Sequence, residues 1–135
     1  MITKREMQDL VDKIEFIYQM HSVSSKEKDI LYEVFATECA YEIQHKKGAF
    51  WKLINEGFSV SNLIVSEKDK ITKKEMEIRY SFLNKILQKR NLTLKEIGFI
   101  SIAMRTFAAY QIKNKVGDFW EFFQRKHIVI NLITN

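Results

Sequence analysis

The sequence predicts an all-α fold, a bundle of about six or seven helices forming a single domain over 1–135. Three observations carry this: the absence of proline beside only 4 glycines, a series of helix-start signals, and apolar residues at helical spacing. Long helices tolerate such a composition, whereas sheets joined by tight turns usually need more of both residues. With 135 residues, 46% hydrophobic and 29% charged, the chain can fold around one real core.

The starts come from capping boxes, in which a Ser or Thr side chain accepts from a free helical N–H and a Glu three residues on reaches back. The pattern recurs at Thr3/Glu6, Ser24/Glu27, Thr72/Glu75 and Thr93/Glu96. Three of these carry a staple as well: Ile2 with Met7, Ile71 with Met76, and Leu92 with Ile97. Cationic last turns followed by Gly48, Asn91 and Gly117 mark ends, since those residues tolerate a left-handed backbone. The expected helices are therefore 4–20, 25–47, 49–57, 59–67, 73–90 and 94–116, with a final one from 118 onward. The first has a one-sided stripe of Met7, Leu10, Val11, Ile14 and Ile17. The segments Ile97–Val116 and Phe119–Ile133 are apolar around much of their circumference, which predicts a deep position or a homodimer through the C-terminal helices.

Composition sets bounds on function. The N-terminus has no continuous apolar run, so no signal peptide is expected. The most apolar stretch, Ile97–Ile112, is short for a membrane span and contains Arg105. One cysteine, Cys39, fits a reducing compartment, and a cytoplasmic protein without membrane insertion is the expectation. The net charge of +5 comes from 22 scattered basic residues, mostly lysine, which reads as solvated surface and not a nucleic-acid site. The stretch from Leu92 opens like a helix-turn-helix but runs from Phe99 to Gln111 with no turn residue.

No catalytic set is visible. Cys39 has no dyad partner, and His21, His45 and His127 show no metal spacing. Glu42 and His45 form half of a di-iron motif whose other half is missing. The expectation is a non-enzyme with no metal. The sharper signal is charge on apolar faces. Arg79 sits on its helical wheel among Met76, Phe82, Leu83 and Ile86, so it meets an anion or carbonyls inside, snorkels out, or pairs with a Glu. Glu38 and His45 share a face with Ile30, Leu31, Val34 and Tyr41, while Arg105 lies beside Gly98, Ser101, Ala108 and Ala109. Together Arg79, Arg105, Glu38 and His45 outline a polar chamber in an aromatic core, suited to an amphiphilic anion such as a fatty acid. A guanidinium can hold the carboxylate while the tail gains about 0.8 kcal/mol per buried methylene. A packed helical protein–protein interaction module is the alternative, with the arginine paired within the chain.

The size, the helix order, the segment FATECAYEIQHKKGAFWKLINEG and a final helix ending near VINLITN resemble the plasmid-encoded sporulation-inhibitory proteins of Bacillus. Those are free-standing copies of a sporulation histidine-kinase sensor domain. The resemblance implies a globin-like bundle without haem, a homodimer, and a bound fatty acid whose carboxylate meets an arginine and a chloride ion. It also implies a role in diverting a signal from the sensor histidine kinase, and so inhibiting sporulation. The family's arginine maps onto Arg79, with Arg105 second. Between His45 and His127 no histidine stands where a proximal haem ligand belongs, in keeping with no haem cofactor.

Overall fold

The computed structural model describes residues 2–133. It is mostly helical: α1 Lys4–Met20, α2 Ser25–His45, α3 Ala49–Gly57, α4 Lys73–Arg90, α5 Leu94–Asn114 and α6 Asp118–Arg125, with strands β1 Val60–Val65 and β2 Ile128–Leu132. All four capping boxes form, each with both reciprocal hydrogen bonds. That is why those starts fall where the local sequence puts them.

Two expected helices are corrected. The segment 59–67 is strand β1 followed by a single 3-10 turn, and the last helix stops at Arg125 before β2. The strands pair antiparallel, Leu63 opposite Ile130 and Val65 opposite Ile128, with a bulge between Val60 and Asn62. Alternation explains the outcome: in β2, Ile128 and Ile130 are buried while Val129 and Asn131 are exposed. The sequence end VINLITN is thus strand as far as Leu132, and its last two residues lie outside the described ones.

The stop signals shift too. The left-handed residues ending α2 and α5 are Lys46 and Lys115; Gly48 and Gly117 instead start the next helices at φ +95° and +92°. A Cβ on Gly48 would fall 2.5 Å from Glu42 Cδ, and one on Gly117 2.6 Å from Gln111 Cδ. In each turn the overlying side chain accepts from the next helix: Glu42 from the Phe50 N–H at 2.6 Å, Gln111 from the Phe119 N–H at 2.8 Å.

This likeness extends along the whole chain. The chain is two copies of one α-α-α-β unit, α1 to β1 and α4 to β2. A step of 69 residues takes Thr3 to Thr72, Glu6 to Glu75, Glu27 to Glu96, Tyr41 to Tyr110, Gly48 to Gly117, Phe50 to Phe119 and Trp51 to Trp120. The halves exchange contacts: α1 packs on α5 as α4 packs on α2, α2 touches α6 as α5 touches α3, and β1 meets β2. Arg90 of the second half donates to Glu27 of the first at 2.8 Å, while His21 of the first bonds Glu96 of the second at 2.7 Å. Between these links lies the core, centred on α2, whose Leu31, Val34, Ala36, Ala40 and Ile43 have no exposed surface. Each large side chain buried there contributes about 1.5–3 kcal/mol.

The second half's helices are less fully enclosed than their apolar circumference predicts. Ile102 on α5 and Val116 just beyond it are exposed, as is Phe82 on α4.

The paired turns provide a control within one molecule. Burial pushes the Glu42 carboxyl above its usual range, a shift that the Phe50 N–H and Arg105 oppose and Glu38 reinforces. A carboxyl raised in the folded state contributes stability below the ordinary carboxylate range, and that contribution is lost as pH rises through the raised value. Glu42→Gln, which copies Gln111, keeps the acceptor without the charge. The variant is expected to match the parent below about pH 4 and to melt about 3 °C higher at pH 7, read by circular dichroism. A lower melting point at pH 7 would show that the charge at Glu42 is needed.

Candidate functional site

The four residues singled out by sequence do not converge. Arg79 lies on α4 with a half-exposed side chain and pairs with Glu33 of α2 at 3.1 Å, at the surface and not at the centre of a buried stripe. His45, at the end of α2, donates from Nε2 to the Ile71 carbonyl at 2.9 Å and stacks on Tyr41. Its neighbour Gln44 accepts from the Ile71 N–H at 2.7 Å and donates to the Asp69 carbonyl. Those two side chains pin the segment that leads into α4, a structural job for His45.

Glu38 and Arg105 do meet. Glu38, only 9% exposed, accepts from Arg105 Nη2 at 3.3 Å and from the Tyr80 hydroxyl, so α2, α5 and α4 are joined through one carboxylate. Tyr80 is not among the residues that the sequence singles out. Burial, followed by the Glu38 carboxylate that it faces, holds its phenol protonated to well above the usual range. Arg105 Nε is buried with no hydrogen-bond partner among the described residues. Cys39, next along α2, is wholly buried, which pushes its thiol far up and makes it a poor nucleophile. No group of three or more metal-ligand side chains occurs among the described residues.

A separate cavity of about 420 Å3 opens between α1, α2, α5 and the start of α6. That volume falls within the range of roughly 300–1,000 Å3 common to small-molecule pockets. Val11, Ile14, Met104, Phe107 and Phe119 give it apolar walls, with Glu15, Lys28, Asp29, Gln111 and Asp118 among its polar residues. Neither Arg79 nor Arg105 lines it.

Tyr18 and Tyr32 also line this cavity, and both of their hydroxyls are buried without a hydrogen-bond partner among the described residues. Leaving such a group unpaired costs about 1–3 kcal/mol. Tyr18 is 3% exposed, with Lys28 Nζ 5.7 Å from its ring centre. The Tyr32 ring rests on Phe119 with centroids 5.0 Å apart. Desolvation raises both phenols, Tyr32 to about 12, so each remains an O–H donor at neutral pH.

Sequence reasoning passed over these tyrosines because an aromatic on a helical stripe is ordinary core. The available signal was self-comparison: at the step of 69, Tyr18 answers to Leu87 and Tyr32 to Ser101, so the hydroxyls belong to one half only.

No family model, curated protein or solved structure matches the chain. Among the described residues, no helix is long and apolar enough to cross a membrane.

The two arginines should separate in a stability assay. Arg79→Ala, which breaks an exposed pair, is expected to shift urea unfolding by no more than about 0.5 kcal/mol. Arg105→Ala strands the enclosed Glu38 carboxylate and should cost about 2–3 kcal/mol. Equal effects would mean that Glu38 draws its stability from Tyr80 alone.

Proposed function

We propose that the chain is a non-enzymatic sensor or decoy domain that captures a small amphiphile in the cavity between α1, α2, α5 and α6. The observation that carries this reading is a cavity of about 420 Å3 with largely apolar walls, beside which two tyrosine hydroxyls are buried without partners among the described residues. Fixed polar groups in apolar surroundings orient a ligand; they do no chemistry by themselves. The fatty acid implied by the resemblance is the first ligand to try. The arginine-and-chloride anchor implied by the resemblance has no counterpart in this cavity, since neither Arg105 nor Arg79 lines it and Arg79 is paired with Glu33.

The regulatory role belongs to the same proposal: captured ligand or kinase partner is withheld from a sporulation sensor histidine kinase. A cytoplasmic location and a homodimer through the C-terminal helices complete it. A contact between like halves within one chain is not something that a globin-like bundle requires. The globin-like, haem-free packing therefore rests on the resemblance alone.

A second reading, an interaction module that binds another protein, is favoured by apolar side chains left in solvent on α1 and α5, Phe16 at 65% and Leu94 at 83% exposed.

Native mass spectrometry with solvent extraction decides between them. The purified protein, or the protein incubated with a fatty acid series, should carry added mass that Val11→Trp, a bulky group at the cavity wall, removes without loss of helical signal. A mass that stays that of the bare chain after incubation would favour the interaction module.

A further inference from the structure

We propose that the cavity between α1, α2, α5 and α6 takes an amphiphile with a cationic head, an ammonium on an apolar chain, drawn by the carboxylates of Asp29 and Asp118. This rests on the amphiphile reading above and assigns the charge of the ligand, which that reading leaves open.

The chain's own lysine illustrates the chemistry. Lys28 lines the cavity, with its Nζ 3.1 Å from Glu15 Oε2 and 5.7 Å from the centre of the Tyr18 ring. A carboxylate and the face of an aromatic ring are what an ammonium meets favourably outside bulk water. Elsewhere in the lining the same ingredients occur without a cation. Asp29 and Asp118 are its exposed acids, and neither forms an ion pair among the described residues. Asp29 lies one helical turn before Tyr32 and Asp118 directly before Phe119, and those two rings rest on each other with centroids 5.0 Å apart.

The balance of charge has the matching sign. Glu15, Asp29 and Asp118 line the cavity against Lys28 alone, and Lys28 is engaged with Glu15, so two negative charges remain. Their field reaches the walls: after burial, Glu15 pushes the Tyr18 phenol up and Asp118 pushes that of Tyr32 up. Farther out, Glu121 and Arg125 act on Tyr32 with opposite signs. Such a rim attracts an ammonium and repels a carboxylate. The whole chain carries a net charge of +5, so attraction to its surface at large favours anions. A preference for a cation therefore has to come from this cavity.

The duplicated half supplies an internal comparison. At the step of 69, Glu15, Asp29 and Asp118 answer to Asn84, Gly98 and Ala49. The three acids belong to one half only, as the two tyrosines do, so the common frame requires neither. In the other half the enclosed charges Glu38 and Arg105 answer each other within the protein. Around this cavity the answering cation for Asp29 and Asp118 has to come from outside.

The test is titration calorimetry at neutral pH and low ionic strength with three probes of equal chain length: octylammonium, 1-octanol and octanoate. Octylammonium should bind at least about 10-fold more tightly than octanol, and octanoate should bind weakest. The double variant Asp29→Asn/Asp118→Asn changes two exposed side chains. It should lose about 10-fold in octylammonium affinity while keeping its affinity for octanol. Lys28→Gln, which releases Glu15, should instead bind octylammonium about 3-fold more tightly. Three results overturn the cationic head group and leave the amphiphile reading standing: octanol or octanoate binding as tightly as octylammonium, a double variant that binds octylammonium like the parent, or a Lys28→Gln variant that binds it more weakly. If none of the three probes binds, the amphiphile reading falls as well.

Discussion

Two glutamates hold this molecule together, and each does so in two directions. Glu27 accepts from the Ser24 backbone N–H, closing the start of α2, and from Arg90 at the end of α4. Glu96 does the same for α5, accepting from the Thr93 N–H and bonding His21 at the end of α1. Nucleating a long helix and docking the opposite half are thereby one event, since the carboxylate that caps the helix is oriented for the cation across the seam. Glu27 titrates below the ordinary carboxylate range mainly through the Ser24 backbone N–H, and Glu96 through that of Thr93, with the cross-seam cation or imidazole adding to the effect.

Everything that distinguishes the two halves has been built on this common frame. The frame fixes where α1 lies on α5 and where α4 lies on α2, so equivalent side chains arrive at equivalent places. One such place is occupied by Glu38, which accepts from both Tyr80 and Arg105. The other keeps a cavity and two hydroxyls with nothing to bond. The cavity needed no new backbone, only different side chains at a few positions of a duplicated scaffold.

What the sequence disclosed, it disclosed locally. A capping box is written in four consecutive residues, and all four boxes stand where they were read. The strands failed for the opposite reason: Val60–Val65 has no partner nearer than Ile128, and a short apolar run such as VSNLIV suits helix and strand alike until its partner is known. Arg79 takes the alternative of pairing with a Glu, Glu33 on the adjoining helix, because a helical wheel shows which residues share a stripe and not which stripe meets the core. Glu38 and Arg105, both named from the sequence but not with one another, form a pair. Their third partner, Tyr80, could be found only by knowing that α4 packs on α2. The largest omission was the duplication itself, diluted by substitution yet plain once Tyr41, Gly48, Phe50 and Trp51 are set beside Tyr110, Gly117, Phe119 and Trp120.

The lone thiol of the chain has a use that follows from its seat. Cys39 lies on the central face of α2, sealed by both halves, and burial keeps it in the unreactive protonated form. An alkylating reagent can reach it only when the packing over α2 opens, so the modification reports that opening. The protein therefore carries a native reporter on the opening of its core, readable without any introduced label.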